Sequence, residues 1–243
     1  MPSRRYTIAL GLLAAMVHNS GMAALSGAGQ VLLEQGQYWQ ARKDLDRATE
    51  AWKKLLLIDP QQPDALYGLG YIELQSKRMA GAQSYLQKLR QLYPDGQKTL
   101  LLEQDIALST PERVKQLDKT RLLAESGELD KAVAEYRDMF AGKTPQGRIA
   151  FEYYNYLGYT AKGWSEARQG LERLHKETPD DTAISLVLAK MLIRNEGART
   201  EGIRRLAALS TDPNIGGDAA ESWRLALTWL GTPKPDQIPL FKA

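Results

Sequence analysis

The chain has 243 residues, 43% hydrophobic and 25% charged, with 11 Tyr, 5 Trp, 3 Phe and no Cys. Without cysteine it can hold no disulfide, no thiolate-bound zinc and no lipid-bearing thiol. The formal charge is +3, but setting aside Arg4 and Arg5 leaves 30 basic against 29 acidic side chains, with no basic stripe for nucleic acid.

Residues 1–24 read as an export signal. Arg4 and Arg5 precede the apolar run Ile8–Val17, and the small residues up to Ala24 offer a cleavage site. The run is half the length of the ~20 apolar residues that span a bilayer, which argues against a membrane anchor.

Beyond the leader, three features recur at one spacing. Gly36 and Gly70, Ala48 and Ala82, and Pro60 and Pro94 are each 34 residues apart. Pro145, Pro179 and Pro213 continue the interval. A 34-residue period with a small residue early, an Ala midway and a Pro at the end marks the tetratricopeptide repeat, a helix pair that stacks into a solenoid. The expected fold is all-α, a right-handed superhelix of about five helix pairs and a terminal helix. Runs of alternating Val, Ile and Thr are missing, which speaks against a sheet.

Repeats one and two occupy residues 29–95. In the first, helix A runs from about Val31 to Arg42 and helix B from about Leu45 to Ile58. Ala48 falls at the crossing, with Trp52 and Leu55 on the same face. Asp59-Pro60 stops that helix, and Pro63-Asp64 opens the next. In the second repeat, Leu66, Leu69, Gly70 and Ile72 form the inner stripe of helix A, and Ala82, Leu86 and Leu89 that of helix B.

From Pro94 to Pro145 the interval is 51 residues, one repeat plus 17. Residues 96–112 therefore predict one inserted helix, with Leu101, Leu102, Ile106 and Ala107 at near-helical spacing. An odd helix would turn the superhelix, so a bend or hinge is expected there; a divergent repeat that stacks normally is the alternative. Thr110 and Pro111 supply the next helix start.

Repeats three to five fill residues 113–213, and Gly202 takes the Ala slot of the fifth one residue late. Residues 214–231 hold a terminal helix with Trp223, Leu227 and Leu230 aligned. The tail, 232–243, carries three prolines and reads as an extended linker.

Catalytic signatures are missing. Past the leader His175 is the sole imidazole, and HExxH, CxxC, GxSxG and a phosphate-binding glycine loop do not occur. No cofactor, metal or enzymatic activity is expected. The aromatic residues are more informative. Helix A lines the concave groove of such a solenoid, which directs attention to Tyr67, Tyr71 and Gln75 in the second repeat and to Glu152, Tyr156 and Tyr159 in the fourth. Tyr rings with polar tips suit a pyranose chain or an extended peptide. The competing reading packs these rings against neighbouring repeats.

Four segments, Gln35–Gly70, Leu122–Arg137, Glu152–Leu174 and Gly217–Gly231, resemble the periplasmic part of the cellulose synthase operon protein C family. The Gly158-Tyr159-Thr160…Gly163-Trp164 stretch and the Glu221-Ser222-Trp223 helix are the more particular signals. The resemblance implies a non-catalytic periplasmic scaffold, with further repeats and an outer-membrane β-barrel in the full-length protein. It also implies a role in guiding nascent β-1,4-glucan outward. Partners would be other cellulose synthase subunits, the glucan chain or peptidoglycan. The chain ends without strands for a barrel, so it is expected to be an N-terminal fragment. The alternative is a general peptide-binding adaptor in envelope or other exopolysaccharide assembly.

Overall fold

In the computed structural model, which describes residues 27–232 and 235–241, twelve α-helices follow one another and no strand occurs among those residues. The expected leader lies outside them. Five antiparallel pairs form: α1 (Gly27–Ala41) with α2 (Leu45–Ile58), α3 (Pro63–Gln75) with α4 (Met79–Leu92), α6 (Pro111–Glu125) with α7 (Leu129–Met139), α8 (Gly147–Leu157) with α9 (Trp164–Glu177), and α10 (Thr182–Arg194) with α11 (Arg199–Leu209). Between the second and third pairs lies α5 (Gln97–Leu108), a lone helix packed on α3 and α4. The last helix, α12 (Gly216–Thr228), packs on α11. No helix among the described residues is long and apolar enough to cross a membrane.

The small residues at the crossings explain the pairing. Ala48, Ala82, Ala132 and Ala167 are all completely buried, each where a larger side chain would push two helices apart. In the fifth pair even Ala is too large: a Cβ on Gly202 would lie 2.7 Å from the backbone nitrogen of Ile193. The late glycine thus marks a tighter crossing. Trp52 is held in the same way, with its ring between two glycines. A Cβ on Gly36 would come within 2.6 Å of the ring and one on Gly68 within 2.4 Å.

The turns from helix A to helix B are built alike in the first three pairs. The amides of Asp44, Arg78 and Glu128 reach back five residues to the carbonyls of Trp39, Glu73 and Leu123. This closure needs a left-handed residue, here Lys43 (φ 60°), Lys77 (φ 59°) and Gly127 (φ 83°). The helix starts are capped by side chains: Asp44, Thr110 and Asp181 accept from backbone amides of α2, α6 and α10.

Four apolar clusters fill the stack. One surrounds Trp52, a second joins Leu66, Leu86 and Leu89 to Leu102 of α5, and a large one spans α6 to α10. The fourth lies between α10, α11 and α12 and takes in Leu240. That last contact corrects the expectation of an extended tail. Pro235–Phe241 forms a 3-10 helix, Leu240 is buried, and its carbonyl accepts from Trp223 Nε1 at 3.2 Å. The indole donor and the apolar cluster of α10, α11 and α12 hold Leu240 in place, while Pro235 and Pro239 stay exposed.

A candidate ligand cleft

The site is set by how α3 begins. Pro63 stands at its first position, and the buried Gln62 side chain accepts from the amides of Asp64 and Ala65. Anchored there, α3 turns Tyr67 and Tyr71, four residues apart, to its inner side. Their rings lie 6.1 Å apart, tilted by 31°. Opposite them runs α5, and its residues Lys98, Leu101, Asp105 and Leu108 fall at helical spacing on one face. Behind sit Gln37 and Gln40 of α1 and the edge of Trp52, whose Nε1 donates to Gln40 Oε1 at 3.0 Å. The start of α8 closes the far end with Gln146, Arg148 and Ile149. These walls enclose a cleft of about 510 Å³.

Polar contacts hold the walls in place. Tyr67 Oη donates to Asp105 Oδ2 at 3.0 Å, and Lys98 Nζ pairs with Asp64 at 2.7 Å while lying over the Tyr67 ring. Gln104 and Gln146 bond reciprocally: the Gln104 amide donates to the Gln146 carbonyl at 3.1 Å and accepts from its N–H at 2.7 Å. The next residue, Gly147, has φ 52°, and a Cβ there would come 2.9 Å from Leu101. A glycine is therefore what lets α8 approach α5 so closely.

Burial and the Asp105 charge both push the Tyr67 hydroxyl well above the usual phenol range, and Tyr71 rises for the same reasons. Burial likewise pushes the Asp105 carboxyl up to about 6, against a smaller opposing effect of the Tyr67 hydrogen bond. The cleft therefore presents two neutral phenols, four side-chain amides, the mutually paired Lys98 and Asp64, the Arg148 guanidinium and one carboxyl group that titrates near neutrality. That set suits an uncharged ligand with apolar faces and hydroxyl edges.

The six residues expected to line one groove are distributed over four places. Tyr67 and Tyr71 share the cleft. Gln75, at the end of α3, is exposed and does not line it. Glu152 and Tyr156 lie on α8 within an internal network. Arg121 donates to both Glu152 oxygens at 3.0 and 3.1 Å, and Tyr136 Oη donates at 3.1 Å. Tyr156 stands against the Tyr136 ring at 6.1 Å. Tyr159 follows α8 in a separate hollow of about 260 Å³, its ring covered by the Arg194 guanidinium at 4.5 Å. Asp105, Lys98, Gln104 and Gln146 were not among the expected residues. The spacing of Lys98, Leu101, Asp105 and Leu108 on one face of α5 was the available signal. His175 bonds Ser185 Oγ at 3.1 Å across α9 and α10, and no cluster among the described residues could hold a metal ion.

Comparison with known proteins places this geometry in context. Residues 26–96 match the tetratricopeptide repeat family. The chain is 50% identical over 98% of its length to the cellulose synthase operon protein C of Pseudomonas fluorescens (strain SBW25), and covers 19% of that protein. It is 39% identical over 90% of its length to the protein of the same name from Xanthomonas axonopodis pv. citri (strain 306), covering 15% of it. A crystal structure of the flexible tandem repeat domain of the corresponding bacterial cellulose synthase component superposes with a TM-score of 0.72 at 27% identity, over 90% of this chain and 88% of that one. The chain thus spans about a fifth or less of the curated relatives it matches. With five stacked helix pairs, one lone helix and these relatives, the chain is a tetratricopeptide-repeat solenoid related to the cellulose synthase operon protein C proteins.

Proposed function

We propose that the chain is a non-catalytic periplasmic scaffold of a cellulose synthase complex, and that its cleft holds a stretch of β-1,4-glucan while other faces of the solenoid engage partner subunits. The observation that carries this reading is the tilted Tyr67–Tyr71 pair edged by Gln37, Gln40, Gln104 and Gln146. Aromatic faces match the apolar faces of a pyranose, and side-chain amides both donate and accept at its hydroxyl edges. The relationship to cellulose synthase operon proteins supports the choice of glucan over peptide. A solenoid's repeated surface suits holding rather than transforming an extended ligand.

Titration with cellohexaose, followed through the fluorescence of Trp52 and the tyrosines, tests it. The expected result is a saturable change whose midpoint moves to higher sugar concentration in Tyr71→Ala. No response at millimolar sugar, with a response to extended peptides instead, would favour the adaptor role. Incubation with cellulose is expected to release no reducing ends.

A further inference from the structure

We infer that Asp105 is the specificity-determining residue of the cleft, and that its ionised carboxylate accepts a pair of hydroxyl hydrogens from the bound sugar. This deepens the glucan reading and rests on it.

Asp105 is short of hydrogen-bond partners. A carboxylate offers about four acceptor positions, and among the described residues only the Tyr67 hydroxyl fills one. Every nearby cation is committed elsewhere. Lys98, on the same helix, pairs with Asp64 of α3 at 2.7 Å. Arg90 of α4 pairs with Glu103 at 2.6 Å, and Arg148 of α8 leans toward Glu152 at 3.7 Å. From α1 come only the amides of Gln37 and Gln40, and from α3, besides Asp64 and Tyr67, the neutral phenol of Tyr71. Asp105 is thus a half-buried anion in a cavity wall, held by one neutral donor.

Such a group is poorly served by the protein alone and well served by a ligand. Hydrogen bonds to an ionised acceptor are about twice as strong as those between neutral groups. Two adjacent hydroxyls on a pyranose edge present two donors to the two oxygens of one carboxylate. The Tyr67–Tyr71 rings give the same sugar an apolar face to rest against. An ordinary surface aspartate would stay ionised at any physiological pH. With the midpoint near 6, binding that requires the anion becomes proton-linked.

Above pH 7 nearly every molecule carries the ionised carboxylate and binds. At pH 5 about one in ten does, and the apparent Kd rises by about tenfold.

Calorimetric titration of the chain with cellohexaose at pH 7.5 and pH 5 tests the inference. The wild type is expected to bind about tenfold more weakly at pH 5. Asp105→Asn, which keeps the shape, is expected to lose about tenfold at pH 7.5 and to show no pH dependence. Tyr71→Ala weakens binding equally at both. Tyr67→Phe removes the one donor to Asp105 and moves the midpoint of the pH profile upward, a shift that a purely structural role for Asp105 would not produce. Wild-type affinity that is flat between pH 5 and 7.5, or Asp105→Asn binding as tightly as wild type at pH 7.5, overturns the inference and leaves the glucan reading intact. Absence of cellohexaose binding at both pH values overturns both. The wild-type profile alone decides the matter if the variant does not fold.

Discussion

Helices α3 and α8 hold equivalent places in their repeats and use them in opposite ways. On α3 the inner tyrosines face open space, and the carboxylate opposite, Asp105, has one neutral donor. On α8 the inner face carries its own carboxylate, Glu152, closed over by Arg121 from α6 and Tyr136 from α7. The neighbour makes the difference. A complete helix pair precedes α8 and reaches across with a guanidinium, which turns an inner-face acid into a rivet between repeats. Against α3 packs the lone helix α5, whose lysine is already taken by Asp64, so its acid stays unpaired and the space beside it stays open. An inner-face acid becomes mortar or binding surface according to the charge the adjoining helix brings.

Substitutions can break this contrast or sharpen it. The largest effect is expected at the seats of the two buried aromatics. Gly68→Ala would place a methyl group 2.4 Å from Trp52, and Gly170→Ala one 2.3 Å from Tyr154. Each should cost about 3 kcal/mol in urea unfolding, because both rings are almost fully buried. A loss at Gly170 with none at Gly68 would mean that the open half is loosely packed.

Neutralising the two carboxylates should give opposite signs. Glu152→Gln forfeits charge-assisted bonds to Arg121 and is expected to lose about 2 kcal/mol. Asp105→Asn relieves an unpaired anion and should gain about 1 kcal/mol at pH 7.5. The pH dependence follows from the same shift. Folded Asp105 holds its proton to about 6, whereas an unfolded aspartate releases it near 4. Between those values the native state binds more protons, so this contribution is full below pH ~4 and is lost as pH rises through 6. Thermal melts of wild type and Asp105→Asn should therefore converge toward pH 4 and separate above 6. Destabilisation by both substitutions at pH 7.5 would erase the contrast between the two acids.

The smallest effect lies in the turns. Lys77→Gly relieves a left-handed lysine and should gain about 0.5 kcal/mol after the entropy of the added glycine is counted. Gly127→Ala, in the corresponding turn of the third pair, should lose about 1 kcal/mol.

The helix pairs were legible because the repeats restate the same punctuation: a small residue at each crossing, alanine in four pairs and Gly202 in the fifth, and a closing proline. Even the odd helix showed, as 17 residues too many between Pro94 and Pro145. The site was legible by half. Tyr67 and Tyr71 followed from the helical period, which fixes the face a side chain occupies. It does not fix what stands opposite. Glu152 looked like a groove residue because Arg121 lies 31 positions away and joins it only after folding. Asp105 is not legible in the sequence because α5 repeats nothing, so no second copy marks its face. The tail misled because prolines argue for extension, and the indole of Trp223 that captures the Leu240 carbonyl is 17 residues upstream.

The reciprocal amide pair between Gln104 and Gln146 bears on how the chain comes apart. In an ideal solenoid each unit touches only its neighbours, and unfolding can fray from either end. Here a bond spans 42 positions and ties α5 to α8 across the intervening pair, and Gln97 reaches 80 positions to Glu177. Loss of α6 and α7 alone would leave these straps under strain. The middle of the chain is therefore expected to melt as one cooperative block, with fraying confined to the outermost helices.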